Sequence, residues 1–341
     1  MKILILKPSS LGDVVQALPV LRLLKRHQPS AEIWWWVDSN FASLLENDPD
    51  LAGVLRFERR GWGSPRRWLE LWRLVRWMRV QHFDWVIDLQ GLARSGTIAW
   101  LANGQLLVGL DEPREGARGY YDLIVRRASF HTHAVDWYLS VLPALGVPVE
   151  NDFDWLPARP AVAAAVREKW AVNRQPWLAV LPGARWENIR WPAERFAEVV
   201  RQLAARRADL RFAILGGGAD KPLGDLLGRA APERCLDLTG ATSLPEMVEW
   251  LRLSQVVLTN DTGPLHVAAA LGKPLVALFG PTEPRRTGPY SQLDHVVRHR
   301  LPCAPCLKAR CRWSNPMECL TAISPETVVE RVGQALRESG G

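Results

Sequence analysis

The sequence lacks the long apolar runs that membrane-spanning proteins carry. No run reaches the ~18 residues that a transmembrane helix needs, and the longest candidate, residues 267–279, is interrupted by Lys273 and Pro274. The apolar residues 3–6 end at Lys7 and are too few for a signal peptide. We therefore expect a cytoplasmic protein that is not exported.

Cysteine is scarce as well, with five residues in the chain, which excludes a disulfide-dense scaffold. Four of the five form a cluster with the spacing C-x2-C-x4-C-x7-C: Cys303, Cys306, Cys311 and Cys319. A cysteine cluster in a cytoplasmic chain is more often a metal or redox site than a disulfide. A structural zinc is one hypothesis, although a regular zinc ribbon has a second CxxC pair. A loop of reduced thiols is the alternative.

The remaining composition is that of an ordinary globular protein. The chain has 341 residues, of which 48% are hydrophobic and 23% charged. These values exclude a disordered, collagenous or coiled-coil chain. The length predicts two domains.

The net charge of +7 is concentrated in one segment, residues 56–79, which begins with Arg56 and ends with Arg79. This basic segment holds eight Arg and two Glu. Such density indicates an anionic partner, namely nucleic acid, a phosphorylated glycolipid or an acidic membrane surface, while a solvated helix face is the alternative. Trp68, Trp72 and Val75 share one face of a helix, and basic helices with Trp anchors suit lipid headgroups.

Apolar strands alternate with helical patterns in both halves of the chain, which predicts parallel sheets with crossover helices and therefore two Rossmann-like domains. The Trp triplet at 34–36 lies in a buried strand, where core packing explains it. A Pro-rich stretch at 147–160 reads as a linker. We predict domains at 1–155 and 156–322, followed by a helix at 323–341 that packs back on the first domain.

The first candidate site is the loop that follows the first strand. It supplies a cation, two hydroxyls, a flexible glycine and a carboxylate at a helix start: Lys7, Ser9, Ser10, Gly12 and Asp13. Ligands collect at the carboxyl ends of strands in such sheets. Asp13 is therefore a candidate general base, and a simple helix cap is the alternative.

Two loops of the second half occupy the same position after a strand. In the loop 260–266, a helix N-terminus and a glycine suit a diphosphate, and its candidate residues are Asp261, Thr262, Gly263 and His266. A capping turn with a buried histidine is the alternative. The loop 182–192 supplies Gly183, Arg185 and Arg190, and its arginines can neutralise a departing phosphate.

Several motifs along nearly the whole chain resemble those of the heptosyltransferases of lipopolysaccharide core synthesis. The matching motifs are KPSSLGD at 7–13, DLQG at 88–91 with Arg94-Ser95, HAVDWY at 133–138, PGA at 182–184 with RWP at 190–192, TG at 239–240 with SL at 243–244, and NDTGPLH at 260–266 with FGPT at 279–282. That family has the GT-B fold, in which two Rossmann-like domains face each other across a cleft.

The resemblance implies transfer of a heptose from ADP-heptose to the phosphorylated lipid A/Kdo inner core, with inversion at the anomeric carbon. It makes Asp13 the base, places the nucleotide and sugar on the loop 260–266, and puts Thr242 at the adenine. Acceptor contacts are then expected from the first domain, at Arg94, Arg114, Arg118 and His133. No metal is required, because helix N-termini stabilise the leaving ADP. The basic segment would face the inner membrane, to which the protein would bind peripherally.

The sequence lacks one positively charged residue that the family usually has. Ile189 stands where the family usually has Lys, so the phosphate cation falls to Arg185, Arg190 or Lys7. The cysteine cluster is similar to that of heptosyltransferase II-like members, which favours a heptose of the core as acceptor.

Three alternative functions stay open at this point. A GT-B glycosyltransferase with another nucleotide sugar fits the same loops. A basic nucleic-acid-binding protein fits the Arg and Trp residues, but the chain shows no recognition motif, so we expect no nucleic acid partner. A dinucleotide-dependent oxidoreductase is disfavoured, because GxGxxG does not follow the first strand.

Overall fold

The computed structural model describes residues 1–58, 65–112, 115–172 and 175–339. The chain divides into two compact units, Met1–Pro157 and Ala158–Gly341. The sequence places this boundary between residues 155 and 156. The division falls within the Pro-rich stretch, where no regular secondary structure competes for the chain.

The first unit is built on a six-stranded parallel sheet with the strand order β3-β2-β1-β4-β5-β6. Its strands are β1 (Lys2–Leu6), β2 (Glu32–Asp38), β3 (Gly53–Phe57), β4 (Trp85–Asp88), β5 (Leu106–Leu110) and β6 (Leu123–Val125). Its described helices are α1 (Leu11–His27), α2 (Ser39–Leu45), α3 (Pro65–Gln81), α4 (Ala93–Ala102), α5 (Ala134–Leu139) and α6 (Val141–Ala144). The predicted Rossmann-like sheet is confirmed.

The second unit repeats this architecture with the strand order β12-β11-β10-β7-β8-β9, again all parallel. Its strands are β7 (Trp177–Leu181), β8 (Arg211–Ile214), β9 (Cys235–Asp237), β10 (Val256–Asn260), β11 (Leu275–Phe279) and β12 (Val296–Arg298). Its described helices are α7 (Pro160–Lys169), α8 (Ala193–Arg206), α9 (Lys221–Gly228), α10 (Leu244–Leu253), α11 (Gly263–Ala270), α12 (Pro284–Thr287), α13 (Glu318–Thr321) and α14 (Pro325–Glu338). Within the described ranges, neither unit contains a helix long and apolar enough to cross a membrane.

The central strands are largely apolar because helices cover both faces of each sheet. Every residue of β7, β10 and β11 is buried. In β2, Trp35 and Trp36 are buried, and Trp34 meets Trp77 of α3 edge-on with ring centroids 4.8 Å apart. The expectation that this Trp triplet packs in the core is confirmed.

The last helix, α14, packs on the second unit itself. Ser324 caps it, since its hydroxyl accepts a hydrogen bond from the Thr327 N–H at 3.2 Å. Its buried residues Val328 and Val332 share one core with Phe196 of α8. This packing places the helix in the second unit, and its predicted return to the first domain stays a prediction. The helix is strongly amphipathic, and α8 together with the face of the sheet at β10 and β11 covers its apolar stripe.

Candidate active site

In the first unit, the strand order reverses at β1, which lies between β2 and β4. Leu6, the last residue of β1, pairs with Asp88, the last residue of β4. The loops that follow these two strands therefore leave the same edge of the sheet side by side. Open α/β sheets bind ligands at such a switch point.

Asp13 lies in the first turn of α1 at this edge, and its side chain is 39% exposed. Its Oδ2 atom accepts hydrogen bonds from the backbone N–H of Ser10 at 2.8 Å and from the Ser10 hydroxyl at 2.7 Å. Its Oδ1 atom accepts one from the Tyr138 hydroxyl at 3.2 Å. The carboxylate is thus held from two sides and still reaches solvent, as a base must.

Lys7 lies beneath this carboxylate. Its side chain is 3% exposed, and its Nζ atom is 3.9 Å from Asp13 Oδ1 and donates to the Leu89 carbonyl at 2.9 Å. The ammonium group also lies 4.5 Å from the centre of the Tyr138 ring. Lys7 is therefore a buried counterion of Asp13. The predicted donor contact of Lys7 stays a prediction.

Tyr138, on α5, was not among the predicted site residues. Burial and the nearby charge of Asp13 raise the pKa of Tyr138 well above its ordinary value. Its hydroxyl therefore stays protonated and donates to Asp13. Residues 133–138 match a family motif in the sequence. The sequence does not show, however, that Tyr138 contacts Asp13, because the two residues are 125 positions apart.

A second residue that sequence reasoning left without a role is Asp88, which is fully buried at the end of β4. Burial raises the pKa of Asp88. The carboxyl accepts hydrogen bonds from the Tyr121 hydroxyl at 2.7 Å and from the Gln90 and Gly91 N–H groups at 2.8 and 3.2 Å. Asp88 thereby shapes the turn that leads into α4.

The predicted acceptor residues occupy different environments. Arg94 is exposed in the first turn of α4 and remains available at this edge of the sheet. Arg118 forms an ion pair with Asp111. His133 is buried, and its Nδ1 atom accepts the Val135 N–H at 3.2 Å, so it caps α5. Arg114 lies outside the described residues. The acceptor roles stay predictions.

In the second unit, the strand order reverses at β7, which lies between β8 and β10. The loops 182–192 and 260–263 leave this point together, as the loops of the first unit do. Asn260 joins them, because its Nδ2 donates to the Pro182 carbonyl at 2.8 Å and its Oδ1 accepts the Trp191 N–H at 3.0 Å. The side chain of Asn260 is fully buried. The sequence motifs assign this residue no separate role.

The loop after β10 leads directly into α11. Thr262 is the N-cap residue, yet its side chain makes no capping hydrogen bond, and the helix begins at Gly263. The positive end of the helix dipole therefore faces this edge, where an anion is favoured. His266 is half-buried one turn into the helix.

The loop after β7 brings the remaining donor candidates to the same edge. A Cβ atom on Gly183 would lie 2.6 Å from the Asp220 carboxylate, so the backbone requires glycine there. Arg190 turns inward and donates to the Ala184 carbonyl at 2.6 Å, which makes it a support of the loop. Arg185 is exposed and lies over the Trp186 ring, and it is the better-placed cation. Thr242 is half-buried in the loop between β9 and α10.

Asp261 is partly buried, and loss of solvent around its carboxyl raises the pKa of Asp261 to about 6. The ordinary value in an unfolded chain is about 4. The folded state therefore holds this proton more tightly, and its stability falls as the pH rises from about 4 to about 6 and is level above that. We expect Asp261→Asn to raise the free energy of unfolding at pH 7.5 by on the order of 2 kcal/mol and by much less at pH 4.5.

Urea denaturation at the two pH values measures this difference. The exposed Asp294 provides a matched Asp→Asn control in the same unit, with no expected change at either pH. An equal effect of Asp261→Asn at both pH values would contradict the linkage.

The four clustered cysteines converge on one pocket, which Trp313 and Met317 also line. All are free thiols. Hydrogen bonds from backbone N–H groups, above all that of Met317, lower the pKa of Cys311. Burial raises the pKa of Cys319. Across the described residues, no group of three or more His, Cys, Asp or Glu side chains is arranged to hold a metal ion. The structural zinc stays a prediction.

Two Rossmann-like units, each with its loops gathered at a switch point, form a GT-B fold. The sequence model of the protein family named glycosyltransferase family 9 (heptosyltransferase) matches residues 71–316, and the chain therefore belongs to this family. It is 28% identical to lipopolysaccharide heptosyltransferase 1 of Pseudomonas aeruginosa, covering 97% of both chains. It is 27% identical to lipooligosaccharide heptosyltransferase 2 of Haemophilus influenzae, covering 98% of this chain and 99% of that protein.

The fold agrees with that of a solved relative, the ADP-heptose lipopolysaccharide heptosyltransferase II of Escherichia coli. The two chains superpose with a TM-score of 0.81 at 23% identity and full coverage of both. The resemblance drawn from the motifs is thus confirmed at the level of family and fold, and the protein is a glycosyltransferase enzyme.

Proposed function

We propose that this enzyme transfers a heptose from ADP-heptose to a sugar hydroxyl of the lipopolysaccharide inner core on lipid A, with inversion at the anomeric carbon. The observation that carries the proposal is the form of Asp13, an oriented and solvent-reaching carboxylate at the switch point of the first unit. Family membership and the names of the relatives at 27% and 28% identity support the sugar and the acceptor class.

Asp13 is the general base in this proposal. As the acceptor oxygen attacks the anomeric carbon, its proton passes to the Asp13 carboxylate, and the bond from that carbon to the β-phosphate oxygen breaks. A single displacement of this kind inverts the configuration. Ser10 and Tyr138 hold the carboxylate in place, and Lys7 beneath it favours the ionised form that accepts the proton.

The second unit binds the donor in this proposal. The diphosphate lies at the N-terminus of α11, where the helix dipole and the Gly263 backbone favour negative charge. Arg185 adds a cation from the loop after β7, and Thr242 lines the adenine site. Negative charge that develops on the departing ADP is then stabilised by groups already in position.

The test is ADP release from ADP-heptose, measured with and without an inner-core acceptor. UDP- and GDP-sugars serve as competing donors, and binding of ADP and NAD is compared by isothermal titration. We expect acceptor-dependent ADP release and binding of ADP but not of NAD. Faster transfer from another nucleotide sugar would assign the enzyme to a different donor, and a failure to bind ADP would overturn the proposal.

We also propose that the enzyme works at the cytoplasmic face of the inner membrane, to which it binds peripherally. A lipid-anchored acceptor is presented at that surface, so an enzyme that concentrates there meets its substrate faster. Separation of cell membranes from cytosol in low salt should find the protein with the membranes. High salt should release it, because charge attraction to anionic lipids is screened.

Removing the Tyr138 hydroxyl tests the support of the base. We expect Tyr138→Phe to lower kcat by about threefold to tenfold, since one hydrogen bond to the carboxylate is lost. The acidic limb of the kcat/KM profile should move to higher pH by about half a unit to one unit, because the ionised base is less stabilised.

Tyr120→Phe is the matched control, because the Tyr120 hydroxyl accepts a hydrogen bond from Thr97 and does not contact Asp13. A rate loss in Tyr138→Phe with an unmoved pH profile would assign Tyr138 a purely structural role.

A further inference from the structure

Helix α3 carries large apolar side chains on the face that points into solvent. Trp68 is 59% exposed, Trp72 55% and Val80 65%, and Leu69 beside them is 47% exposed. The opposite side of α3 is packed into the core of the first unit, where Met78 is fully buried. The helix thus already has its buried stripe, and the solvent side of such a helix is ordinarily polar.

Arginines are interleaved with these apolar residues. Arg73, Arg76 and Arg79 are all exposed, and the Arg76 guanidinium lies 5.5 Å from the centre of the Trp72 ring. At 3.6 residues per turn, these seven side chains fill one continuous arc of about 140°. The one acidic residue of α3, Glu70, lies outside that arc and is half-buried. The exposed arc consists of residues 68, 69, 72, 73, 76, 79 and 80. Four of its side chains are apolar, and the three charged ones are all cationic.

We propose that the exposed arc of α3 is the surface that docks the enzyme on an anionic lipid bilayer. Trp side chains partition to the boundary between headgroups and acyl chains, and the arginines bind lipid phosphates while their stems lie along the apolar surface. The inference rests on the proposed function in that a lipid-anchored acceptor requires such a surface.

The composition of the exposed arc favours lipid over nucleic acid. Arg and Trp also suit single strands, where bases stack on aromatic rings. Leu69 and Val80, however, offer no flat ring for a base, and exposed aliphatic side chains are stabilised by transfer to an apolar phase. An acyl-chain boundary accommodates all seven side chains of the arc, whereas a nucleic acid strand accommodates the arginines and tryptophans.

Co-sedimentation of the full chain with vesicles tests the proposal. Vesicles of phosphatidylcholine with phosphatidylglycerol are compared with vesicles of pure phosphatidylcholine, at low and high salt. We expect binding to the anionic vesicles that salt weakens. Trp72→Ala should weaken it by about tenfold, and Arg76→Gln with Arg79→Gln by about fivefold per arginine.

The chain offers matched controls for both changes. Trp186 is 52% exposed in the second unit, so Trp186→Ala removes an equally exposed Trp outside the arc. Arg206→Gln with Arg229→Gln removes the same charge from exposed sites of the second unit. Neither control should change vesicle binding. If the control variants lost as much vesicle binding as the arc variants, binding would not depend on the arc, and the proposal would be overturned. Equal binding to neutral and anionic vesicles would overturn it as well.

Two activity measurements separate this inference from the proposed function. With acceptor embedded in vesicles, Trp68→Ala combined with Trp72→Ala should lower the rate, whereas with a lipid-free core acceptor the same variant should match the wild type. Vesicle binding without transfer to either acceptor would leave the docking surface standing and refute the heptosyltransferase proposal. Transfer with no vesicle binding, or RNA binding lost in the arc variants, would refute the docking surface.

Discussion

Asp13→Asn should lower kcat for heptosyl transfer by about 10²- to 10⁴-fold, the range that a positioned general base contributes. Asparagine keeps the size of the side chain, and its Oδ1 atom can still accept the hydrogen bonds from Ser10 while its amide NH2 faces the Tyr138 hydroxyl, but it takes no proton from the acceptor. ADP affinity should stay within about twofold, because the loops that we propose to bind the donor belong to the other unit. Steady-state rates of ADP release and titration with ADP measure the two quantities.

Asp152→Asn provides the control, as Asp152 is an exposed carboxylate of the same unit. Its rate should equal that of the wild type. The base assignment fails if Asp13→Asn retains more than about a tenth of the activity, since loss of a general base costs at least about 10²-fold. A large loss of ADP affinity in Asp13→Asn would instead place Asp13 at the donor.

The central strands of both sheets were predictable from the sequence because burial on both faces makes them continuous apolar runs. β1, β4, β7 and β10 contain such runs and meet at the two switch points, although β4 ends in Asp88 and β10 ends in Asn260. The strands β6, β9 and β12 have three residues each and lie at sheet edges, where no long apolar pattern marks them. β5 is interrupted by Gly109, whose missing side chain makes room for the Tyr121 ring.

In the candidate site, too, some features were predictable from the sequence and others were not. Loops that directly follow a central strand were predictable, since topology fixes where they emerge. The supports of those loops were not predictable, because they are contacts between residues far apart in sequence, such as Tyr138 with Asp13 and Asn260 with Pro182. The periodicity of α3 indicated an amphipathic helix, but which of its faces meets solvent depends on the packing of Trp77 and Met78 in the core.

Asn260→Leu is expected to lower the free energy of unfolding by about 2 to 4 kcal/mol, which is large for one side chain. Leucine fills a similar volume but leaves the Pro182 carbonyl and the Trp191 N–H buried without partners. Each such group costs about 1 to 3 kcal/mol. In a unit of this size the melting temperature should fall by roughly 5 to 15 °C. ADP should bind more weakly as well, because the loops after β7 and β10 lose the side chain that joins them.

Calorimetric melting with and without ADP measures both effects. Asn188→Leu is the matched control, since Asn188 is a half-buried residue of the same unit whose side-chain amide donates to the Lys308 carbonyl at 2.5 Å. We expect it to cost less than about 1 kcal/mol, because its backbone partner can turn to water. If Asn260→Leu melted at a lower temperature yet bound ADP as tightly as the wild type, the donor would not depend on the geometry of these two loops. If its stability were unchanged, the two hydrogen bonds would contribute nothing beyond what water replaces, and the buried amide would have to serve the ligand directly.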